Sequence, residues 1–223
     1  MSNPAYQLVL GNKNYSSWSL RPWLLMRMFD IPFEEINVDI YNPGARKRVL
    51  EHSPTGKVPA LKVGELVIWD SLAITEYLAE QHSGLAIWPT ETKARALARA
   101  VAAEMHSGFE NLRGEMPMDI SGTKPVVEIS KGVGWDTRRI VDLWRMCQEQ
   151  YGNGGPFLFG GFSAADAMYA PVATRFRTYG VDLAAHGDDG AAEAYCETIL
   201  SLEPFAEWSE AGRSQMDERG QAY

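Results

Sequence analysis

The stretch that decides the fold is Asn14-Tyr15-Ser16-Ser17-Trp18-Ser19-Leu20-Arg21-Pro22-Trp23, a hydroxyl-rich loop that runs into apolar residues at helical spacing. Pro22 falls in the first turn of the predicted helix, where its missing N–H costs little. Serines at this position are typical N-cap residues. A helix start also suits an anion, because free backbone N–H groups and the positive end of the helix dipole face it. The stretch therefore predicts either a plain helix cap or an anion-binding helix start.

Short strands and helices alternate around this stretch as far as residue 82. The apolar patterns predict the order β-α-β-(α)-β-β-α, with a tight hairpin turn at Gly64 between the last two strands. Every later pattern is helical, and the predicted segments are Ala94–Phe109, Asp136–Tyr151, Ala164–Tyr179, Ala191–Leu202 and Pro204–Ala211. The sequence thus predicts an α/β domain over residues 1–82, a linker over 83–92 and an all-helical domain over 93–223.

Composition narrows the class of protein. Of the 223 residues, 45% are hydrophobic and 22% are charged, which is typical of globular proteins. Two cysteines, Cys147 and Cys196, are too few for a disulfide scaffold or a four-thiolate metal site within one chain. The net charge of −8 disfavours nucleic-acid binding. No apolar run is long enough to cross a membrane and Met1–Tyr6 lacks a signal-peptide pattern, so we expect a cytoplasmic protein that binds neither nucleic acid nor membrane.

Two further motifs lie in the first domain. In Ser53-Pro54-Thr55-Gly56-Lys57-Val58-Pro59-Ala60-Leu61, Pro59 begins a predicted edge strand, and the pattern leaves open whether its peptide bond is cis or trans. In Trp69-Asp70-Ser71-Leu72-Ala73-Ile74, an acid and a hydroxyl stand where a strand passes into a helix. Taken alone, the second motif is typical of an ordinary N-cap.

In this order and spacing, the three motifs together resemble the N-terminal domain of the glutathione transferase superfamily, which has a thioredoxin-like fold. In the helical part, Phe162-Ser163-Ala164-Ala165-Asp166-Ala167 resembles the family's N-capping box, in which Ser163 caps the backbone and Asp166 returns a bond to it. The resemblance covers essentially the whole chain. It implies the glutathione transferase fold, an α/β thioredoxin-like N-terminal domain followed by an all-α C-terminal domain.

The serine stretch resembles the active-site motif of the serine-type zeta class, the maleylacetoacetate isomerase-like branch. That resemblance implies that Ser16, the first serine of the pair, hydrogen-bonds the sulfur of glutathione. Ser17 and Tyr15 remain rivals for the same contact. Zeta-like proteins often carry cysteine where this chain has Trp18, which is a departure from the class.

The resemblance also assigns residues that hold the rest of glutathione. It implies that the backbone of Val58 pairs with the cysteinyl part, and that Asp70 and Ser71 grip the γ-glutamyl end. Lys57 is expected near a carboxylate of glutathione. The first four backbone N–H groups of the helix at Ser71 suit a carboxylate, and Asp70 suits an ammonium group.

An electrophile pocket is expected between the two domains. Its candidate residues, several of them at helical spacing, are Asn12, Tyr15, Met105, His106, Phe109 and Arg113, followed by Met116 and Met118. For the helical residues, an alternative interpretation is an ordinary helix core with one hydrogen-bonded histidine. Arg113, Arg175 and Arg177 are open candidates for binding a substrate carboxylate.

The implied chemistry is thiol activation. A free thiol has a pKa of about 8.5, and lowering it by about two units needs roughly 2.7 kcal/mol of preference for the thiolate. A serine O–H, a backbone N–H and a helix N-terminus together supply energy of that order. Thioredoxin-like redox domains carry a Cys-x-x-Cys pair where this chain has Ser16 and Ser19. The reactive sulfur must therefore arrive with glutathione.

Three functions follow from this interpretation. The first is a glutathione transferase of detoxification type, with glutathione as co-substrate and no metal, acting on a small electrophile. The second is a glutathione-dependent maleylacetoacetate-type cis–trans isomerase, and the third is a non-catalytic glutathione or ligand-binding protein. The resemblance also implies a homodimer.

Overall fold

The computed structural model of the chain describes residues 6–217, so the predicted domain ends at residues 1–5 and 218–223 lie outside the described residues. The first part of the chain contains β1 (Tyr6–Leu10), α1 (Ser17–Met28), β2 (Phe33–Asn37), α2 (Ala45–Leu50), β3 (Ala60–Val63), β4 (Leu66–Trp69) and α3 (Ser71–Gln81). Their four-stranded sheet has the order β2-β1-β3-β4. β1 pairs parallel with β2 and antiparallel with β3, and β3 pairs antiparallel with β4.

The central strand β1 is covered on both faces, because its side chains alternate across the sheet. Leu8 and Leu10 join the main core with α1 and α3. Val9 points to the other face, where it packs with Val49 of α2 in a smaller cluster. This two-sided burial places the end of β1, and the loop that leads to α1, in the interior of the molecule.

The second part is helical, with α4 (Thr92–Ser107), α5 (Glu110–Glu115), α6 (Lys131–Tyr151), α7 (Ala164–Tyr179), α8 (Ala191–Leu200) and α9 (Glu203–Asp217). α7 is the central helix, and nearly all its residues are buried. It packs against α1, α4 and α8. The predicted capping box at its start is confirmed, since Asp166 Oδ2 accepts a bond from the backbone N–H of Ser163 at 2.8 Å.

The predicted fold class is confirmed. The predicted helices are all observed, but α6 begins at Lys131 and not at the predicted Asp136, and α5 was not predicted. Further differences lie near residue 109 and at the end of the last helix. α4 ends at Ser107, and Phe109 adopts a left-handed conformation with φ +56° before α5 begins. The continuous helical spacing predicted from Met105 to Arg113 is therefore wrong. The last helix runs to Asp217, beyond the predicted end at Ala211.

Candidate functional site

Two adjoining cavities lie at the start of α1, where the chain leaves β1. One has a volume of about 490 Å³ and the other about 720 Å³. They share the lining residues Trp18, Lys57 and Val58. The smaller cavity is also lined by Tyr15, Ser16, Ser17, Ile40, Tyr41, Ala45, Arg46, Val49 and Gly56, and the larger by Thr55, Pro59, Trp69, Asp70 and Ser71. The three sequence motifs thus converge on one continuous cleft.

Ser16 stands at the N-cap of α1 and its side chain is largely buried. Its Oγ donates a hydrogen bond to Ser19 Oγ at 2.8 Å, and the backbone N–H of Gly11 donates to the same Ser19 oxygen at 3.0 Å. A Cβ atom at Gly11 would lie 3.2 Å from Ser16 Oγ and 3.1 Å from Val58 Cγ2. Ser16 and Val58 therefore both lie close to Gly11, and both line the smaller cavity.

The two rivals of Ser16 have other partners. Ser17 Oγ accepts a long hydrogen bond, 3.5 Å, from Nη2 of Arg175 on α7. The hydroxyl of Tyr15 donates to Met216 Sδ on α9 at 3.0 Å. Both side chains line the smaller cavity, but their hydrogen bonds run toward the helical part of the protein.

The peptide bond between Val58 and Pro59 is cis. At the other end of the larger cavity, Asp70 Oδ1 caps α3 by accepting from the N–H of Leu72 at 2.8 Å. Asp70 has φ +81°, a conformation that side chains rarely adopt. The hydroxyl of Ser71 is buried and has no hydrogen-bond partner among residues 6–217. An unsatisfied buried hydroxyl beside a helix start is the kind of group that a bound polar ligand satisfies.

His106 of α4 lies against this acid. Its Nε2 is 3.1 Å from Asp70 Oδ2, and its ring meets the Trp18 indole edge-on with the ring centroids 5.3 Å apart. The helical part of the protein therefore contacts two residues that line the larger cavity, Trp18 and Asp70. Sequence reasoning assigned His106 to the electrophile pocket and did not pair it with Asp70, because no local pattern links residues so far apart.

Three arginines surround Trp18 and Ser17. The guanidinium carbon of Arg21 lies 4.2 Å from the Trp18 ring centroid, and that of Arg113 lies 5.5 Å from it. Arg21 Nε and Nη1 and Arg113 Nε are buried without a hydrogen-bond partner among the described residues. Burial, with repulsion from Arg175 and Arg113, lowers the pKa of Arg21 to about 9. Burial and Arg113 lower the pKa of Arg175 to about 10, so the cluster is electropositive at neutral pH.

The remaining predicted pocket residues lie elsewhere. Met105 is fully buried in the core, and Phe109, Met116 and Met118 are also buried. None of these four lines either cavity. Asn12 is buried and fixes the segment after β2, since its Oδ1 accepts from the N–H of Ile40 at 2.9 Å. Arg177 donates to the carbonyl oxygen of Ile120 at 3.1 Å and lines a separate groove beside α8.

Sequence reasoning did not predict that the segment from Ile40 to Arg46 forms a wall of the smaller cavity. Tyr41, for example, meets the ring of Tyr15 with the centroids 5.2 Å apart. The segment is mostly irregular, so neither helical nor strand periodicity marks it. Across residues 6–217, no His, Cys, Asp and Glu side chains cluster in a way that would hold a metal ion, and no helix has the length and apolar character that crossing a bilayer requires.

The fold and the cleft together define a two-domain protein of the thioredoxin-like type, in which a helical domain packs beside a cleft at the start of α1. Comparison with known families agrees. The sequence model of the glutathione S-transferase N-terminal domain matches residues 15–81, and that of the C-terminal domain matches residues 94–211. The chain belongs to the glutathione S-transferase family, as the sequence motifs predicted.

Individual curated relatives share a modest sequence identity with this chain. A probable maleylacetoacetate isomerase of Caenorhabditis elegans is 35% identical over 112 residues, which cover 50% of this chain and 51% of that protein. The maleylacetoacetate isomerase of Rattus norvegicus is 26% identical over 85% of both chains. The chain thus spans about half of the nematode relative and most of the rat one.

Among solved structures, a glutathione transferase homologue from Burkholderia with bound glutathione has a TM-score of 0.70. It is 21% identical to this chain, and the match covers 94% of this chain and 99% of the other. At that identity, the likeness supports the fold.

Proposed function

We propose that the protein binds glutathione across the two adjoining cavities and lowers the pKa of its thiol with the hydroxyl of Ser16. The observation that carries this proposal is that Ser16 and Val58 line the smaller cavity, and that Val58 also lines the larger cavity together with Asp70 and Ser71. The γ-glutamyl end would occupy the larger cavity at Asp70 and Ser71, with the sulfur reaching the smaller one. Lys57, which lines both cavities, would face a glutathione carboxylate.

The chemistry of the site favours a thiolate at this point. Ser16 precedes the first turn of α1, whose free N–H groups carry the positive end of the helix dipole. A hydroxyl that donates to an anion makes a stronger hydrogen bond than one that donates to a neutral group. The enzyme then mainly orients the sulfur and stabilises its charge for attack on an electrophile.

Ser16→Ala and Ser17→Ala, assayed with glutathione and a generic uncharged electrophile, test this assignment. A hydrogen bond to a charged group contributes about 1.5–3 kcal/mol, so Ser16→Ala should lower turnover by about tenfold to a hundredfold below the thiol's pKa. We expect Ser17→Ala to stay within about threefold of wild type, because its oxygen already accepts a bond from Arg175.

Two results would contradict the proposal at different levels. Equal turnover of Ser16→Ala and wild type would exclude Ser16 as the activating group. Failure of calorimetry to detect glutathione binding at millimolar concentration would exclude glutathione itself and favour a protein that carries another ligand without catalysis.

The arginine cluster favours a second candidate reaction. Two guanidinium groups beside Trp18, those of Arg21 and Arg113, leave hydrogen-bond donors unused, and they suit a substrate that carries a carboxylate. The relatives whose names refer to maleylacetoacetate isomerase make glutathione-dependent isomerisation of such an acid the natural candidate. Measuring free glutathione separates the reactions, since isomerisation regenerates it and conjugation consumes it.

A homodimer and a cytoplasmic location remain predictions from the family resemblance. Large apolar side chains are exposed at Leu66 and Trp69 on the edge strand β4 and at Tyr41 and Leu50 beside α2. Such exposure is typical of a surface that another chain covers. Light scattering of the purified protein distinguishes a dimer from a monomer of 24.8 kDa.

A further inference from the structure

We propose that Ser19 is a positioning residue that strengthens Ser16 as a hydrogen-bond donor to the thiolate. The two residues are three positions apart at the start of α1, and their hydroxyl oxygens are 2.8 Å apart. Ser19 is fully buried. The inference rests on the proposed function of Ser16, and its test is chosen to fail separately from that function.

The Ser19 hydroxyl has more hydrogen-bonding capacity than the structure uses. A serine hydroxyl has one donor and two acceptor sites. In the structure Ser19 Oγ accepts from Ser16 Oγ and from the N–H of Gly11, which occupies both acceptor sites. The proton of the Ser19 hydroxyl then has no acceptor of its own among the described residues, although buried donors in proteins are normally satisfied.

A bound thiolate would reverse the hydrogen bond between Ser16 and Ser19. If Ser16 turns its O–H toward the sulfur, its oxygen becomes free to accept, and Ser19 can donate across the same 2.8 Å. Both hydroxyl protons are then satisfied, and no proton leaves the pair. The result is a chain of bonds from the Gly11 N–H through Ser19 and Ser16 to the sulfur, in which each bond polarises the next.

Gly11 holds this chain of hydrogen bonds in place. Its N–H is the fixed end, and a side chain there would crowd Ile40 and Ser16. A Cβ atom there would lie 2.8 Å from Ile40 Cδ1, closer than real Cβ contacts, and 3.2 Å from Ser16 Oγ. The backbone at Gly11 therefore packs directly against the hydroxyl pair, and Ser19 links that backbone to Ser16.

The expected effect is modest and specific. If the polarised chain strengthens the charge-assisted bond to the thiolate by about 10–30%, Ser19→Ala should raise the pKa of bound glutathione by about 0.1–0.7 units. That change leaves up to about fivefold less thiolate below the pKa, and kcat should fall by the same factor there. Above the pKa the two proteins should converge, which a merely structural loss would not produce.

The test is a titration of bound glutathione by its ultraviolet thiolate absorbance in wild type, Ser16→Ala, Ser19→Ala and Ser19→Thr. The threonine variant keeps the hydroxyl, so it should restore the wild-type pKa. Ser209→Ala is the matched control, because it removes a buried serine hydroxyl that bonds to the carbonyl oxygen of Phe205 on α9. It should leave the thiol pKa unchanged.

The outcomes separate the two proposals. If Ser16→Ala raises the thiol pKa and Ser19→Ala does not, the role of Ser19 is refuted and that of Ser16 stands. If Ser16→Ala leaves the pKa unchanged, the proposed function of Ser16 fails first. Should Ser19→Ala not fold, Ser19→Cys, which keeps a weaker donor, takes its place, and a wild-type pKa in that variant would also refute the inference.

Discussion

Replacing Arg21 with methionine should stabilise the protein while it weakens the binding of acidic substrates. Arg21 is fully buried in α1, and its Nε and Nη1 have no hydrogen-bond partner among residues 6–217. Burial is the main cause of its lowered pKa, followed by repulsion from Arg175 and Arg113. Methionine keeps much of the side-chain volume without the charge.

The magnitude follows from the pKa. A fall from 12.5 to about 9 corresponds to roughly 5 kcal/mol of preference against the charged form, at about 1.36 kcal/mol per unit. At neutral pH the guanidinium is charged in both the folded and unfolded states, so the folded state carries this whole cost. The stacking of Arg21 on Trp18 offsets it by roughly 1–2 kcal/mol, and the substitution loses that contact. We therefore expect a net gain of about 3–4 kcal/mol in the free energy of unfolding.

The pH dependence has a defined sign. Because the folded pKa of Arg21 is lowered, the folded state releases the guanidinium proton before the unfolded state does. The wild-type protein should therefore gain stability relative to Arg21→Met as the pH rises above about 9.

The assay is urea unfolding at neutral pH, with Arg27→Met as the matched control on the same helix. Arg27 is exposed and pairs with Glu207 at 2.7 Å, so its loss should change stability by no more than about 1 kcal/mol. In parallel, kcat/KM should fall at least about tenfold for a carboxylate-bearing substrate and much less for an uncharged electrophile. An Arg21→Met protein that unfolds at lower urea than wild type would refute the argument that this charge is uncompensated.

Two other substitutions test contacts between distant parts of the chain. His106→Ala should raise the KM for glutathione about three- to tenfold with little change in kcat, because the imidazole, 3.1 Å from Asp70, orients that carboxylate. Steady-state assays measure both constants, and His106→Gln should partly restore the wild-type KM. A larger effect on kcat than on KM would contradict that role. Asp166→Ala should lower the free energy of unfolding by about 3–5 kcal/mol, because it leaves the N–H groups of Leu158 and Ser163 and the hydroxyl of Tyr195 without their acceptor. Chemical denaturation checks this value, and a loss below about 1 kcal/mol would show that these groups find other partners.

Much of the cleft was predictable because it lies in short motifs. Seven residues named from the sequence line one or both of the adjoining cavities: Tyr15, Ser16, Ser17, Lys57, Val58, Asp70 and Ser71. Their individual roles remain predictions. The electrophile side was less predictable, since Met105 proved to be core and the expected helix broke at Phe109. α4 ends at Ser107 and the left-handed Phe109 begins a new helix, and apolar spacing does not reveal that change of direction.

The sequence by itself determined the order of the elements apart from α5, the capping box and the absence of a Cys-x-x-Cys pair at Ser16 and Ser19. These features depend on residues within one or two turns of each other, so local hydrogen bonding and periodicity reveal them. Only the tertiary structure decided which side chains meet across the cleft. Packing of α1 against α7 and of α4 beside α3 brings Arg175 to Ser17 and His106 to Asp70. Such contacts join residues far apart in the chain, and burial and charge act on them only after the domains have packed together.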